Sequence, residues 1–392
     1  MDVDPQRYPD DPRYPTPGVY FEQAPPPSEV MFGTGQPAFL GLAHPRASQH
    51  FEPIWLTRWE QFAEKVGLPG EECLADAVRG FFENDGERCA VVSFPAATIE
   101  RGGAAWNDSV RRCLERLERM DGIDLICAPD LPQDFGRRVE LQQLILDHCR
   151  TMGGRFAILE PPRDPPPEVP PAELALQNWH KLTAAKDGAL YYPWLRIGSA
   201  GETRPVPPCG HVAGIYARAD RRVGVHKAPA NEIVNGVVDL LDHVGDREHR
   251  LLNDVGVNCV RAFPGRGIRV WGARTLSGRA EWRYVNVRRL FLSLKRWISE
   301  TSRDLVFEPN VPELQDQVRD RLNGYCYGLF QSGALKGLTP QESYFVKCDD
   351  ETNLRAGAES GMIIAEIGLA PVKPAEFVVV RVTQSAAGTT ME

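Results

Sequence analysis

The sequence predicts an α+β protein with an inserted α/β module, in which a C-terminal core domain is built from both ends of the chain. Three observations lead to this prediction: a proline-rich extended N-terminus, alternating helix and strand patterns between residues 55 and 200, and a β-rich C-terminal end. The predicted parts are an extended N-terminal arm (1–30), an inserted α/β middle domain (31–205), a C-terminal core domain (206–384) and a flexible tail (385–392).

The N-terminal arm has eight prolines within residues 1–29. Proline removes backbone donors and prevents helix formation, so the arm contains only one short extended candidate, Gly18–Glu22. Its first fifteen residues, MDVDPQRYPDDPRYP, are acidic and unlike a signal peptide, which favours folding in the cytoplasm. A short apolar strand is expected next, at Ala38–Ala43.

The middle domain alternates helix candidates with short apolar runs, the pattern of an α/β layer with a largely parallel sheet. In the second helix, for example, Val110, Cys113, Leu114 and Leu117 share one face. The predicted helices are Glu71–Asn84, Ala105–Met120, Arg137–Thr151 and Leu174–Asp187; the predicted strands are Cys89–Phe94, Ile123–Ala128, Phe156–Leu159 and Leu190–Arg196.

The last third of the chain predicts two amphipathic helices followed by two strands. Val287, Leu290, Leu294 and Trp297 have the spacing of a buried helix face. A second helix is expected from Pro312, a residue suited to the first turn, to about Ser332. The strands are Met362–Leu369 and Glu376–Thr383, and the second of these is strongly β-branched.

Composition excludes several classes of function. No apolar run approaches the roughly 20 residues that span a bilayer, so no membrane anchor is expected. Nine dispersed cysteines without a C-x-x-C pair indicate neither a metal site nor a disulfide framework. Gly33-Thr-Gly35 and Gly265-Arg-Gly267 complete no nucleotide-binding motif, so no cofactor is expected and the glycines favour tight turns.

Charge is distributed unevenly along the chain, whose net charge is −8. Between Arg261 and Arg296 there are ten Lys or Arg and a single acid, Glu281, so this basic stretch carries about +9 and the remainder about −17. The basic stretch is interpreted either as a surface for an acidic partner or a neighbouring subunit, or as a solvated arginine face.

Three stretches resemble the core of contractile tail sheath proteins. They are the PP-x-G-x-x-AG-x-Y-A stretch (Pro207–Ala217), GVHKAPAN (Gly224–Asn231) and GRGIRVWGART (Gly265–Thr275). The N-terminal PGVYFEQ also resembles the opening of sheath proteins. The resemblance implies a mechanical, non-enzymatic subunit that assembles in the cytoplasm as stacked hexameric rings around an inner tube. It also implies baseplate and cap proteins as partners, contraction without nucleotide hydrolysis, and a tail-like particle that leaves the cell in some systems.

The resemblance further implies that neighbouring subunits exchange terminal strands, because an extended strand satisfies its backbone groups in another subunit's sheet. The residues to which this role is assigned are Gly18, Val19, Tyr20, Phe21, Glu22, Met362, Ile364, Glu376, Phe377, Val378, Val379, Val380, Arg381 and Val382. The candidate inner-tube contact is the second C-terminal helix, with Glu313, Asp316, Arg319, Asp320 and Arg321; the basic stretch is the other candidate.

Two other functions remain as alternatives. Asp130 and Glu160 follow strands at a sheet edge that commonly hosts ligands, which would suit an α/β enzyme or ligand-binding protein. Trp271, Trp282 and Tyr284 within the basic stretch could stack on nucleic-acid bases, but the overall acidity opposes this, and no nucleic acid is expected as a partner. A compact phage tail and an extracellular injection system are both compatible with the sequence.

Overall fold

The computed structural model describes residues 33–43, 50–67, 72–164, 173, 179, 182–199, 202–305, 307–308, 311–349, 351–353, 362–376, 382–385 and 388–391. The predicted strand Gly18–Glu22 and the predicted exchange residues Phe377–Arg381 therefore lie outside the described residues.

The described residues form sixteen strands and ten α-helices. The strands are β1 (Pro37–Ala43), β2 (Ile54–Leu56), β3 (Cys89–Pro95), β4 (Leu125–Cys127), β5 (Phe156–Leu159), β6 (Gly188–Tyr192), β7 (Leu195–Ser199), β8 (Glu202–Val206), β9 (Glu232–Ile233), β10 (Asp239–Leu240), β11 (Val257–Phe263), β12 (Gly267–Trp271), β13 (Tyr344–Lys347), β14 (Glu366–Leu369), β15 (Val382–Ser385) and β16 (Gly388–Met391). The helices are α1 (Gln61–Lys65), α2 (Cys73–Glu83), α3 (Thr98–Arg101), α4 (Gly103–Glu118), α5 (Phe135–Met152), α6 (Cys209–Arg222), α7 (Asp246–Asp254), α8 (Val285–Thr301), α9 (Pro312–Gln331) and α10 (Pro340–Ser343).

A nine-stranded mixed sheet is the centre of the fold, with the strand order β2-β3-β1-β4-β5-β6-β11-β12-β9. The six strands from β3 to β11 are parallel, and β2, β12 and β9 are added antiparallel at the edges. Parallel strands need crossover connections, which the helices between them supply. The chain is thus a mixed α/β protein.

Both faces of the large sheet are covered by helices, and each face has its own hydrophobic core. Alternate residues of one strand enter opposite cores: Leu40 points to the side of α4 and α5, whereas Phe39 points to the side of α2 and α6. This burial on both faces explains the continuous apolar runs of the strands. In the part of the chain that the structure describes, no helix is long and apolar enough to cross a membrane.

Helix α8 contributes to two cores. Val285 and Leu292 enter the core between the large sheet and α6. Leu294 and Trp297 instead form a third core with Leu322 of α9 and with the small antiparallel sheet of β13 and β14. The aromatic rings of Trp297 and Tyr325 stack in this third core with centroids 4.3 Å apart. Helix α8 therefore joins the large sheet to the C-terminal part of the chain.

Most predicted elements are present with small shifts, and both C-terminal helices are confirmed. The predicted strand Leu190–Arg196 is wrong as a single element: it divides into β6 and β7 around Pro193, which has no N–H for a ladder. The strand predicted at Met362–Leu369 is shorter, since only Glu366–Leu369 pairs. Of the helix predicted at Leu174–Asp187, Ala185–Asp187 forms a 3₁₀ turn, and most of the remainder lies outside the described residues.

Strands from both sides of residue 205 build the large sheet, because β9, β11 and β12 come from the predicted C-terminal domain (206–384). The predicted middle domain (31–205) thus shares its sheet with residues that follow it, and the division into domains stays a prediction. Strands β15 and β16 pair with each other as a terminal hairpin, and β16 lies within residues 385–392, predicted as a tail.

Candidate assembly surfaces

Helix α6 carries the Pro207–Ala217 motif, and its two glycines let it lie directly against α2. A Cβ at Gly210 would come within 2.1 Å of the Ala77 carbonyl oxygen, and one at Gly214 within 2.5 Å of the Phe81 carbonyl oxygen. Contacts this short leave no room for a side chain at either position. The motif is therefore explained by close helix packing between two buried elements.

The glycines of the third motif form the turn of the β11–β12 hairpin. Phe263 pairs with Gly267 at the end of the ladder, and Gly265 and Gly267 have φ values of 70° and 76°. Glycine adopts this left-handed region without a steric penalty. The predicted tight turn is confirmed.

Arg274, near the end of the third motif, holds Glu376, which begins the predicted C-terminal exchange strand. Its Nε and Nη2 donate to the two carboxylate oxygens of Glu376 at 2.9 and 2.5 Å. Its Nη1 donates to the carbonyl oxygen of Asn253 at 2.7 Å. The hydrogen bonds that Arg274 donates to Glu376 raise the pKa of the Arg274 guanidinium. A bidentate, charge-assisted pair of this kind is among the stronger polar contacts in proteins.

The residues just before Glu376 are also fixed to the body of the protein. The amide of Val372 donates to the Ala334 carbonyl oxygen at 3.0 Å. The side chain of Asn286 on α8 donates to the carbonyl oxygens of both Val372 (3.0 Å) and His226 (2.8 Å). Since His226 belongs to the GVHKAPAN motif, Asn286 links the C-terminal segment to that motif.

A cleft of 370 Å³ lies beside the Arg274–Glu376 pair, where the second and third motifs meet the C-terminal segment. Its lining includes Ala230, Asn231, His249, Trp271, Pro374 and Glu376. The second and third motifs, which are distant along the chain, are therefore brought together beside Pro374–Glu376.

The first described residues, Gly33–Gln36, are held by a buried group of charges. The amides of Gly35 and Gln36 donate to the Asp124 carboxylate at 3.0 and 2.6 Å. Arg289 of α8 donates to the same carboxylate at 3.0 Å and to both oxygens of Asp220 at 2.8 and 2.6 Å. Arg289 is 3% exposed, and its charge is compensated because both carboxylates pair with it.

The small sheet of β13 and β14 has only two strands within the described residues. Its inner face packs on α8 and α9, whereas Phe345 on its outer face is 58% exposed. Two predicted exchange residues lie just before β14 and are exposed, Met362 (55%) and Ile364 (45%). Asn353 fixes this stretch, since its side-chain amide exchanges two hydrogen bonds with the backbone of Ile364. No third strand pairs with this sheet within the part of the chain that the structure describes, and the edge of a sheet can accept a further strand.

On α9, the five predicted tube-contact residues divide into two groups. The acids Glu313, Asp316 and Asp320 are exposed, and their spacing puts them on one helix face. The two arginines are engaged within the chain: Arg319 pairs with Asp316 at 2.6 Å, and Arg321 forms a bidentate pair with Asp304 at 2.7 and 2.9 Å. The exposed face is therefore acidic.

Half of the ten basic residues in the basic stretch from Arg261 to Arg296 form ion pairs inside the chain. Five of its arginines pair with acids: Arg261 with Asp246, Arg274 with Glu376, Arg279 with Glu281, Arg288 with Asp187, and Arg289 with Asp124 and Asp220. Four of these pairs join segments that are far apart in sequence, so the stretch serves internal cohesion in addition to any surface role.

Asp130 and Glu160, considered above as ligand-binding residues, are used to hold the fold together. The Asp130 carboxylate accepts the amides of Leu42 (2.9 Å) and Cys73 (2.6 Å), which ties the end of β1 to the start of α2. Glu160 pairs with fully buried Arg138 at 3.2 Å. Burial raises the pKa of both carboxyls to about 7, although the two amides and Arg138 respectively oppose this. Both carboxylates are thus engaged by groups of the protein itself.

The sequence did not single out Arg274, Asn286 or Arg289 as site residues. A signal was present, because Asn286 and Arg289 are polar residues beside the apolar stripe of a predicted core helix. Buried polar groups are normally hydrogen-bonded, so such positions indicate specific partners. Their partners could not be identified from sequence, because Asp124, Asp220 and Val372 are 69 to 165 residues away from the side chains that they bind.

Comparison with known proteins gives consistent results for sequence and structure. Residues 113–276 match the phage tail sheath protein central domain, and residues 278–385 match the phage tail sheath C-terminal domain. The tail sheath protein of Vibrio phage KVP40 is 26% identical over 199 residues, which is 50% of this chain and 28% of that protein. The chain spans less than half the length of the curated relatives it matches.

Two solved structures are similar over nearly the whole chain. A chain of the anti-feeding prophage baseplate has a TM-score of 0.77 and 27% identity, covering 94% of this chain and 99% of that one. A chain of the PVC sheath complex, an extracellular contractile injection system in its contracted state, has a TM-score of 0.75 and 28% identity, covering 95% and 98%.

Proposed function

The chain belongs to the phage tail sheath protein family, and on that basis we propose that it is the subunit of a contractile sheath. In this proposal, subunits polymerise as stacked hexameric rings around an inner tube, and contraction of the sheath drives the tube through a target envelope. The observation that carries the proposal is the similarity of nearly the whole fold to a sheath complex in its contracted state.

The particle is proposed to be an extracellular contractile injection system, assembled in the cytoplasm and then released. Support comes from the solved structures: the chain covers 98–99% of the similar anti-feeding prophage and PVC chains, at 27–28% identity. The baseplate and a cap at the far end of the tube are further proposed partners.

Neighbouring subunits are proposed to be joined by their terminal strands, Gly18–Glu22 at one end and Glu376–Val382 at the other. The two-stranded sheet of β13 and β14 is the proposed receiver, with Met362 and Ile364 beside it. A sheet of two strands is only marginally stable alone and gains ladder hydrogen bonds from each added strand. The exposed Phe345 side chain on its outer face would be covered by such neighbours.

Contraction needs no nucleotide in this proposal, because the energy is stored in the assembly. If contraction buries a few hundred additional Å² of apolar surface, each subunit gains roughly 5–10 kcal/mol. The joined strands keep subunits connected while their bodies rotate, so that this energy is released along the whole tube.

A single imaging experiment tests the proposal. Purified full-length protein should form hollow rods or rings in negative-stain micrographs without any cofactor. Removal of residues 1–28 should abolish the rods, while circular dichroism and thermal unfolding remain close to those of the complete chain. Removal of residues 1–10 alone, which leaves Gly18–Glu22 in place, is the matched control and should assemble normally. Rods of normal length from the 1–28 deletion would contradict strand exchange, and discrete monomers from the complete chain would contradict the sheath function.

A further inference from the structure

We infer that helix α8 anchors the residues next to both terminal segments, here called the N-terminal root (Gly33–Gln36) and the C-terminal root (Val372–Glu376). Asn286 and Arg274 hold the C-terminal root, and Arg289 holds the N-terminal root. The inference rests on the proposed strand exchange, because helix α8 would transmit tension between the two exchanged terminal segments, here called the arms. It adds positioning residues that set where each arm leaves the body.

The C-terminal root runs from Val372 to Glu376 and is held at both ends. Asn286, in the first turn of α8, binds the carbonyl oxygen of Val372, and Arg274 binds the carboxylate of Glu376. Arg274 is itself fixed to the start of α8, since it forms a β-bridge with Tyr284 and the amide of Val285 donates to the Ala273 carbonyl oxygen at 2.9 Å. A force applied to residues beyond Glu376 would therefore be transmitted to α8 through these hydrogen bonds and ion pairs.

The N-terminal root, Gly33–Gln36, reaches the same helix through one intermediate. Asp124 accepts the amides of Gly35 and Gln36 on one side and the guanidinium of Arg289 on the other. Further along α8, Arg296 donates to the Gly33 carbonyl oxygen at 3.3 Å. Asp220 holds the other side of Arg289, which prevents the guanidinium from following the root if the root moves.

The two anchors are close together on a stiff element. Asn286 and Arg289 are separated by three residues, which is about 4.5 Å along a helix axis. Both side chains are buried, and α8 enters both the sheet core and the C-terminal core. Tension between the arms thus crosses about one helical turn, and the large sheet is not required to deform.

The test measures hydrogen–deuterium exchange at the two roots in unassembled subunits and the yield of rods after assembly. Glu376→Gln removes the charge from the C-terminal anchor and Asp124→Asn from the N-terminal one. Hydrogen–deuterium exchange should become at least tenfold faster at residues 370–376 in the first variant and at Gly35 and Gln36 in the second. Rod yield should fall at least fivefold in both, with melting temperatures that remain within a few degrees of the wild type.

The matched control is Asp246→Asn, which removes the Arg261–Asp246 pair (2.7 Å) away from both roots and should change neither exchange nor rod yield. If Glu376→Gln unfolds, Asn286→Ala probes the same root from α8 and should give the same local acceleration. Unchanged root exchange in the variants overturns the anchoring, whatever the rods do. Absence of rods from the wild type, with accelerated exchange in the variants, supports the anchoring and contradicts the sheath function instead.

Discussion

At the scale of single residues, His211 is the least satisfied polar group in the interface between α2 and α6. It is 1% exposed, and neither ring nitrogen has a hydrogen-bond partner among the described residues. Its ring fills the space beside Gly80, where a Cβ would come within 2.4 Å of it. Burial lowers the pKa of this imidazole to about 4, and the nearby Arg79 acts in the same direction.

The lowered pKa of His211 predicts that the folded protein loses stability at acidic pH. A side chain at position 211 that does not titrate should remove this loss. Between pH 7 and 4.5 an unfolded His211 takes up a proton that the folded state refuses, so the folded state loses stability as pH falls. With the ordinary value of 6.5 lowered to about 4, the loss is about 2–3 kcal/mol. His211→Leu should remove it, so the variant's free energy of unfolding should fall less on acidification.

Urea unfolding of both proteins at pH 7 and pH 4.5 measures this difference. Other groups, including Asp130 and Glu160, titrate in both proteins and cancel in the comparison. Equal losses of stability in wild type and variant would mean that the imidazole is solvated or paired in the folded protein.

At the scale of elements, the pair α2–α6 depends on the absence of side chains at its contact. Gly210→Ala would place a methyl group 2.1 Å from the Ala77 carbonyl oxygen and 2.5 Å from its Cα. Because both neighbours are backbone atoms, the helices must separate, and we expect a loss of about 1–3 kcal/mol in stability. Gly328→Ala in α9 is the control, since a Cβ there has nothing within 4 Å. The control should be neutral or stabilising by up to about 1 kcal/mol. Thermal or urea unfolding measures the stability of both variants. Equal changes in stability for Gly210→Ala and Gly328→Ala would show that the contact between α2 and α6 is not tight.

Helix α6 illustrates what the sequence could and could not predict. The α/β alternation and the two C-terminal helices were predictable because their apolar residues have regular spacing. Helix α6 was not assigned, because Gly210 and Gly214 lower helix propensity and its residues from Cys209 to Asp220 are buried on nearly every side. Its stability comes from tertiary packing, which no local pattern reveals. The Arg274–Glu376 pair was unpredictable for a similar reason, since 102 residues separate its partners.

At the scale of the whole molecule, the charged residues fall into two groups: ion pairs inside the chain and exposed acids on its surface. Five of the ten basic residues in the basic stretch pair with acids within the chain, whereas Glu313, Asp316 and Asp320 on α9 remain exposed. A sheath must hold its tube before firing and release it during contraction, and charge pairing suits this because it carries little dry apolar area. The acidic face of α9 is therefore our proposed tube contact.

Charge reversal tests this assignment in assembled particles. Glu313→Lys combined with Asp320→Lys should leave subunit stability and rod formation intact, because both side chains are exposed. When the variant is co-expressed with the inner-tube protein of its own particle, the fraction of rods that contain a tube should fall at least fivefold. Glu115→Lys combined with Glu118→Lys, two exposed acids on α4, is the matched control and should not change this fraction. Screening limits such contacts to about 8 Å at physiological salt, so raising the salt concentration should also empty wild-type rods. Tube-filled rods at wild-type frequency in the α9 variant would place the tube contact on another face of the subunit.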